Sequence, residues 1–366
     1  MATPAMKPAM GGIDVEDLVL NFNPEAPHER FKAAGVEAAF LTAAERLPVA
    51  VPWPNDPPKP APLSHTPAET DDLAKFRGYD AIVMTWTAAE AATLAALFTP
   101  GFPTSEWYEY RHNVAQYVPL VTGGRAPFND RQADMARYYH SLGLYFPSTI
   151  GNKKILLFKS GLHLDYDGPK LPLQKLTTEL LNTIQPKVLI TTGTGGGIGK
   201  DVALGDVVIA SATRFFCTTQ FKSEPWKSAS YQTSALSSAA LAAITPQLTK
   251  VNAAKIQGGR AEPKFWHGPG ANIVTTDFFG FDDSTDYYKL EGLGRACDMG
   301  DAMIGNVMQS FPHVAWHAIR NASDPQIPNP SGDIEAAKQE AGQIYSKYGA
   351  FTTAASVIAT WAVLTN

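Results

Sequence analysis

A run of five residues in the middle of the chain, Gly193-Thr-Gly-Gly-Gly197, has the composition of a loop that binds a small ligand. It directly follows residues 187–192, an apolar and β-branched run that predicts a buried strand. Glycines let the backbone approach a ligand closely, and successive N–H groups in such a loop can cradle an anion or a ribose-linked group. The alternative is a tight turn after the strand that binds nothing.

Two familiar nucleotide-binding motifs do not fit this loop. A dinucleotide fingerprint requires GxGxxG, and counted from Gly193 its third glycine is replaced by Ile198. A P-loop requires GxxxxGK[ST], but Thr194 stands at its first glycine and Asp201 at the residue that would hold magnesium. The loop therefore belongs to neither class of site.

Four of the histidines show no metal-binding spacing, such as HxxxH or HExxH, among themselves. They are His112, His163, His267 and His317. His163 begins a polar cluster, His163-Leu-Asp-Tyr-Asp167, which we interpret as an exposed loop rather than as part of a pocket. The sequence therefore predicts neither a metal nor a cofactor.

Strands and helices alternate over most of the chain, which predicts an α/β fold with a central mixed sheet flanked by helices. The predicted strands are residues 81–84, 154–158, 187–192, 206–211, 271–275 and 314–319. The predicted helices are residues 88–98, 173–184, 234–248, 301–309 and one that begins near Ile334.

Two regions do not follow this pattern. Residues 1–78 carry a proline excess, and the proline run at 51–62 excludes helix and central strand because proline lacks an N–H donor and fixes φ. We predict a Pro-rich N-terminal extension that wraps over the core or a neighbouring subunit, or is a partly disordered tail, followed by a single domain over 79–366. Residues 101–137 are longer than a simple connection, and we predict a lid or subunit contact near the pocket.

Charge and composition argue against several classes of protein. The 366 residues carry a net charge of −5 without a long basic run, which disfavours nucleic-acid binding. Cys217 and Cys297 are far apart, which disfavours a disulfide scaffold and fits a reducing, cytoplasmic compartment. The N-terminus lacks the features of a signal peptide. The apolar stretch 350–364 is short for a membrane span, so we predict a buried amphipathic helix and no membrane partner.

Residues 188–197, followed by Leu204-Gly-Asp-Val-Val-Ile209, resemble a strand, loop and strand of the nucleoside phosphorylase superfamily. Further segments resemble this family in the same order, and the likeness is closest to its methylthioadenosine/adenosylhomocysteine nucleosidase branch. They are residues 81–90, 155–161, 273–279, 298–299 and 319–324. The resemblance covers about 79–100 and 140–366. It implies the family's fold, a small-molecule nucleoside or nucleotide ligand, and a homodimer or higher homo-oligomer.

The resemblance also implies the chemistry of glycosidic cleavage. The sugar becomes oxocarbenium-like while the purine base departs, so a general acid must reach N7 of the base. The resemblance assigns this role to Asp324, whose pKa would have to be raised by burial. The sequence Ser323-Asp324-Pro325 also fits a helix N-cap or a turn, which is the alternative.

The nucleophile is water in nucleosidases and phosphate in phosphorylases. The loop at 85–90 has no arginine close by, and residues 159–163 contain no obvious phosphate arginine. We therefore predict hydrolysis, with Glu90 as the base that activates water. The alternative for Glu90 is a first-turn helix acid favoured by the macrodipole. Phosphorolysis stays open, because three arginines are candidates to reach a phosphate: Arg111, Arg125 and Arg320.

The resemblance implies a further set of residues that bind the substrate. They are Thr194, Gly195, Gly196, Ser160, Asp277, Phe278, Phe279, Asp298, Met299, Asp301 and Arg320. Phe279 is a candidate to stack on the base, although a lone aromatic beside a strand also fits the core. The family's usual Met-Glu, whose glutamate binds ribose hydroxyls, is replaced here by Met299-Gly300-Asp301. Either Asp301 takes that role after a local shift, or the hydroxyl contact is lost.

These features together predict a cytoplasmic nucleosidase that hydrolyses the N-glycosidic bond of a purine-type nucleoside or nucleotide. Two alternatives stay open: a nucleoside phosphorylase, and a non-catalytic nucleoside-binding protein with the same fold.

Overall fold

The computed structural model describes residues 57–117, 119–120, 141–164, 168–248, 251, 253–254 and 258–366. Within these residues, thirteen strands join in one hydrogen-bonded network. The strands are β1 (Lys59–Pro60), β2 (Ala81–Thr85), β3 (Tyr108–Tyr110), β4 (Gly143–Ile150), β5 (Lys153–Ser160), β6 (Val188–Gly197), β7 (Val207–Ile209), β8 (Ala212–Phe216), β9 (Ser230–Gln232), β10 (Phe265–Trp266), β11 (Asn272–Thr276), β12 (Ala296–Asp298) and β13 (Ala315–Asp324). The helices are α1 (Ala88–Phe98), α2 (Val114–Tyr117), α3 (Pro172–Ile184), α4 (Ser238–Leu248), α5 (Asp301–Met308) and α6 (Ile334–Thr365).

The sheet is mixed, as predicted. Strands β5, β2, β6 and β13 run parallel in its centre, whereas the pairs β4–β5, β12–β6 and β13–β7 are antiparallel. Helices α1 and α4 each pack on α6, and α6 also lies against β13 and β6. The carboxyl ends of β2, β6 and β13 meet at one edge, where parallel sheets commonly hold their ligands.

Strand β6 is longer than predicted, because it includes Gly193–Gly197, which the sequence analysis took as a loop. The loop prediction is wrong, since β6 stays paired with β13 as far as Gly196, opposite Asp324. Crowding explains the glycines in this strand. A Cβ atom on Gly193 would collide with the Glu90 carboxylate, and one on Gly195 would lie 2.7 Å from the Cys297 carbonyl oxygen. The glycines therefore let protein groups approach the strand.

Helix α6 confirms the prediction of a buried C-terminal helix. Residues Lys347–Thr365 are long and apolar enough to cross a membrane, but 83% of this window is buried inside the protein. The predicted amphipathic character is wrong. Four consecutive residues, Ala355 to Ile358, are buried and point to all sides of the helix, as expected for a helix enclosed by neighbouring elements.

The predicted boundary at residue 79 falls inside the folded unit. Strand β1 pairs with β4, and Leu73 and Phe76 are buried in the core. Residues 57–78, predicted as part of the extension, therefore pack with the domain. Residues 1–56 lie outside the described part of the chain.

Residues 107–117, predicted as part of a lid or subunit contact, pack with the domain. Strand β3 pairs with β4, and the strands β4, β5 and β2 separate it from β6. The large aromatic side chains of this segment are buried in the main hydrophobic core. They are Trp107, Tyr110 and Tyr117. Residues 118 and 121–137 of the insertion lie outside the described residues.

Buried His317 in β13 gives the stability a predictable pH dependence. Burial lowers the pKa of His317 to about 4, against a backbone hydrogen bond at Ser234 that raises it. The unfolded chain, with a histidine pKa near 6.5, binds the proton more readily, so stability falls as pH drops from about 6.5 to about 4. The free energy of unfolding should decrease from pH 7 to pH 4.5 in both proteins. We expect this decrease to be roughly 2–3 kcal/mol smaller in His317→Leu than in the wild type. Urea denaturation at both pH values measures this difference.

Exposed His267 provides the matched control for that measurement. The variant His267→Leu should keep the wild-type dependence of stability on pH. If His317→Leu and the wild type lost the same free energy over this range, the assignment to His317 would be wrong.

Candidate active site

A cavity at the carboxyl ends of β2, β6 and β13 brings the two predicted catalytic acids together. Its empty space, with open solvent at the mouth included, measures about 590 Å³. Most of the predicted site residues line it. They are Glu90, Thr194, Gly195, Gly196, Phe279, Asp298, Met299, Arg320 and Asp324.

Asp324 is the last residue of β13, where it faces the end of β6. Its Oδ1 accepts a hydrogen bond from Ser323 Oγ at 3.0 Å, whereas its Oδ2 has no partner among the described residues. Burial raises the pKa of Asp324 to about 7, and the charge of Asp282 adds to this rise. The N-cap alternative is wrong, because no helix starts here and the cap of α6 is Asp333. Asp324 is therefore a buried carboxyl that holds a proton near neutrality.

Glu90 lies in the first turn of α1 and completes a capping box with Thr87. Its Oε2 accepts from Thr85 Oγ1 at 2.6 Å and from the N–H groups of Trp86 and Thr87 at 2.9 Å. Its Oε1 accepts from the N–H and hydroxyl of Thr194 at 2.6 and 2.7 Å. Burial would raise the pKa of Glu90, but the charge of Arg320 and these hydrogen bonds lower it. Glu90 is thus both the predicted first-turn acid and an ionised group on the cavity wall.

Arg320, in β13, is surrounded by three buried carboxylates. Its Nε and Nη2 bind both oxygens of Asp301 at 2.8 and 2.9 Å. Its Nη2 lies 3.2 Å from Asp298 Oδ2, and its Nη1 lies 3.6 Å from Glu90 Oε1. Burial and the neighbouring charge of Asp301 raise the pKa of Asp298 to about 7, although Arg320 opposes this rise. The one guanidinium charge is therefore shared among three carboxyl groups.

The remaining predicted binding residues do not line the cavity. Asp277 accepts hydrogen bonds from the N–H groups of Thr218, Thr219 and Phe221, so it orders the loop after β8. Ser160 closes a turn with Leu162, and the ring of Phe278 stacks on Tyr288. Asp301 is fully buried, and both its oxygens bind Arg320. The predicted shift that would bring Asp301 to the ribose is therefore not seen.

Several lining residues were missed by the sequence analysis. They are Trp86, Thr87, His163, Gly280, Cys297, Gly300, Ser323 and Tyr345. The interpretation of His163 as part of an exposed loop is wrong, because it is 6% exposed and follows β5 directly into the cavity wall. Asp165 to Asp167 lie outside the described residues. Tyr345 comes from α6, and its hydroxyl donates to Thr87 Oγ1 at 2.9 Å.

The described residues contain no group of three or more histidine, cysteine or acidic side chains arranged to hold a metal ion. His313 and His317 are four residues apart, but His317 lies within β13, so the pair does not share a helical face as in an HExxH site.

The arginines considered for phosphate differ in position. Arg111 pairs with Glu69 and Glu109 beside β3, away from the cavity lining. Arg125 lies outside the described residues. Arg320 lines the cavity, where its charge is shared among Asp301, Asp298 and Glu90.

The chain is similar to a family model and to several known proteins. A family model described as the phosphorylase superfamily matches residues 113–350. A 5′-methylthioadenosine/S-adenosylhomocysteine nucleosidase from Haemophilus influenzae is 31% identical over 83 residues, 23% of this chain and only 34% of that protein. The match therefore spans about a third of this relative. The nucleosidase of the same name from Shewanella pealeana is 30% identical over 180 residues, 48% of this chain and 70% of that protein.

Among solved structures, the chain is similar to a Neisseria meningitidis nucleosidase of the same name in complex with methylthio-immucillin-A. The identity is 16% and the TM-score 0.47, with 78% of this chain and 99% of that chain covered. The superfamily model covers more than half of the chain, and the Shewanella relative is matched over more than two thirds of its length. The chain therefore belongs to the phosphorylase superfamily, in the branch of the methylthioadenosine/adenosylhomocysteine nucleosidases.

Proposed function

We propose that the chain is a nucleosidase that hydrolyses the N-glycosidic bond of a purine-type nucleoside or nucleotide. One observation carries this proposal: the cavity drives the pKa values of two carboxyl groups apart. Burial raises the pKa of Asp324 to about 7. Glu90 is also buried, but the charge of Arg320 and the hydrogen bonds to its carboxylate lower its pKa. Such divergence is typical of an acid and an anionic partner in one active site.

Asp324 is the general acid. Its protonated carboxyl donates from the unpartnered Oδ2 to N7 of the base. As the glycosidic bond breaks, the proton passes to N7, the base leaves neutral, and Asp324 becomes a carboxylate. Ser323 holds the other oxygen and so fixes the plane of the carboxyl group.

Glu90 is the group that positions and activates water. Its two oxygens already accept five hydrogen bonds, more than the roughly four lone-pair sites of a carboxylate. The Thr194 hydroxyl is the donor that can rotate away and make room for water. Water that attacks the cationic sugar becomes strongly acidic, so even a carboxylate of lowered pKa can accept its proton. The negative charge of Glu90 also favours the developing positive charge on the sugar.

The surroundings of Arg320 support water over phosphate as the nucleophile. A bound phosphate would compete with three buried carboxylates for this guanidinium, and like charges in a buried site repel. The nucleosidase names of the relatives also support hydrolysis.

We further propose that the chain forms a homodimer or higher homo-oligomer and acts in the cytoplasm. The family resemblance supports the first proposal, and the wide separation of Cys217 and Cys297 in the sequence, which fits a reducing compartment, supports the second.

A base-release assay tests the proposed function. We expect purine release from a panel of nucleosides and nucleotides in phosphate-free buffer, at a rate that added phosphate does not raise. Release only in the presence of phosphate would make the chain a phosphorylase. Nucleoside binding without any release would make it a non-catalytic binding protein.

A further inference from the structure

Trp86 and Gly300 form part of the cavity wall. The backbone N–H of Trp86 binds Glu90, but its indole ring takes no part in the proposed acid or water machinery. A Cβ atom built on Gly300 would lie 3.4 Å from Trp86 Cζ2 and 3.6 Å from Cε2. The indole ring therefore occupies the space in front of Gly300. A Cβ atom at these distances is in ordinary van der Waals contact with the ring, but a side chain longer than that of alanine would have to displace the ring.

The indole N–H of Trp86 is a buried donor with no hydrogen-bond partner among the described residues. The side chain is 6% exposed, so water has little access to it. An unpaired buried donor destabilises the protein, because the hydrogen bond that it makes with water in the unfolded chain is not replaced. Such a group on the wall of a ligand cavity is explained if a ligand oxygen pairs with it.

The acidic side chains nearby are already committed to protein partners. Both oxygens of Asp301 bind Arg320, and Asp298 accepts from Thr275 Oγ1 and from the N–H groups of Gly300 and Asp301. The guanidinium of Arg320 packs over the indole at 4.9 Å from the ring centroid, which holds the ring between Arg320 and Gly300. On this wall of the cavity, the indole N–H of Trp86 is therefore available to a ligand, whereas the carboxylates of Asp298 and Asp301 are already occupied by protein donors.

We propose that Trp86 determines sugar specificity: its indole N–H donates to a sugar oxygen of the bound nucleoside, and its ring packs against the sugar. The proposal depends on the proposed function only for the class of ligand. Because an N–H donor recognises a lone pair and not a hydroxyl proton, this contact accepts an ether oxygen as well as a hydroxyl oxygen.

Nucleoside binding in an Asp324→Asn background tests this proposal, because base release is blocked there. Isothermal titration with adenosine and with adenine alone separates sugar contacts from base contacts. Adding Trp86→Phe removes the N–H donor and keeps an aromatic ring. We expect the affinity for adenosine to fall about 5- to 10-fold, as for one lost hydrogen bond, and the affinity for adenine to stay unchanged. The control Trp226→Phe alters a tryptophan that packs on Phe215 and Phe221 outside the cavity, and should change neither affinity.

A second variant guards against a general loss of packing. Gly300→Leu carries a side chain that must displace the indole, so it should weaken adenosine binding when Trp86 is present and have no effect in a Trp86→Ala background. Equal losses for adenosine and adenine, no loss for adenosine, or the same Gly300→Leu effect in both backgrounds would overturn the proposal. Binding that depends on Trp86, in a wild type that releases no base, would overturn the proposed function alone. Absence of adenosine binding to every variant would overturn both.

Discussion

Asp324→Asn is expected to lower kcat for base release by about 10³-fold, the size of a typical general-acid contribution. The asparagine keeps the shape of the side chain and can accept the hydrogen bond from Ser323, but it has no proton to transfer to the departing base. Steady-state purine release at pH 6, where the wild-type carboxyl is protonated, measures the loss. A variant with full activity would show that another group protonates the base.

The same carboxyl sets the pH dependence of the wild type. Activity requires the protonated form, and the pKa of Asp324 is about 7, so kcat should be flat at low pH and fall as pH rises through about 7. Asp282 provides a control, because it is buried outside the cavity lining and its charge helps to raise the pKa of Asp324. Asp282→Asn should keep the wild-type kcat at pH 6 and move the decline to lower pH.

Stability separates a lost proton donor from a damaged fold. A carboxyl whose pKa is raised in the folded state contributes stability that is present below its unfolded pKa and is lost as pH rises through the folded value. At pH 8 the ionised, buried Asp324 destabilises the protein, and asparagine removes that charge. Asp324→Asn should therefore raise the melting temperature at pH 8 while activity is lost. A lower melting temperature would point to a structural defect instead.

The elements with strong apolar patterns could be predicted from the sequence. The run at 81–84 lies within β2, the run at 154–158 lies within β5, and helix α1 has the predicted bounds. Strand β4 was missed, since it contains Gly143 and Pro147 and exists because it pairs along the whole of β5. The end of β6 was missed for a similar reason. Its glycines predict a loop when the sequence is considered alone, but pairing with β13 holds them in a strand.

The site could be predicted only where its residues sit at strand ends or in recognisable segments. Asp324 and Glu90 line one cavity, as the resemblance implied. Tyr345 carries no local signal, because its contact with Thr87 spans 258 residues of chain. Asp301 was expected near the sugar because it follows Met299 in the sequence. In the structure both its oxygens bind the buried guanidinium of Arg320, and this strong bidentate ion pair holds the side chain away from the cavity. The sequence alone does not show which of several possible partners a side chain such as Asp301 will bind in the folded protein.

Glu90→Gln is expected to lower kcat by about 10³-fold and also to destabilise the protein, in contrast to Asp324→Asn. The amide removes the charge that faces the cationic sugar. Its NH₂ group must point either at the Thr194 donors or at those of Thr85, Trp86 and Thr87, so one side of the carboxylate's hydrogen bonding is lost. The loss should be roughly 1–3 kcal/mol in the free energy of unfolding. Base release and urea denaturation at pH 6 measure the two effects on the same preparation.

The two roles of Glu90, helix cap and catalyst, are separated by a matched helix acid. Glu335 is an exposed first-turn acid of α6, so Glu335→Gln should cost about 0.3–1 kcal/mol and leave kcat unchanged. Because Asp324 is intact in Glu90→Gln, the residual activity should still decline as pH rises through about 7. Reduced stability with a wild-type kcat would mean that Glu90 only caps α1, and that water is activated elsewhere. A reduced kcat with the decline preserved places Glu90 in the same reaction as Asp324 but in a different step, the attack of water on the sugar.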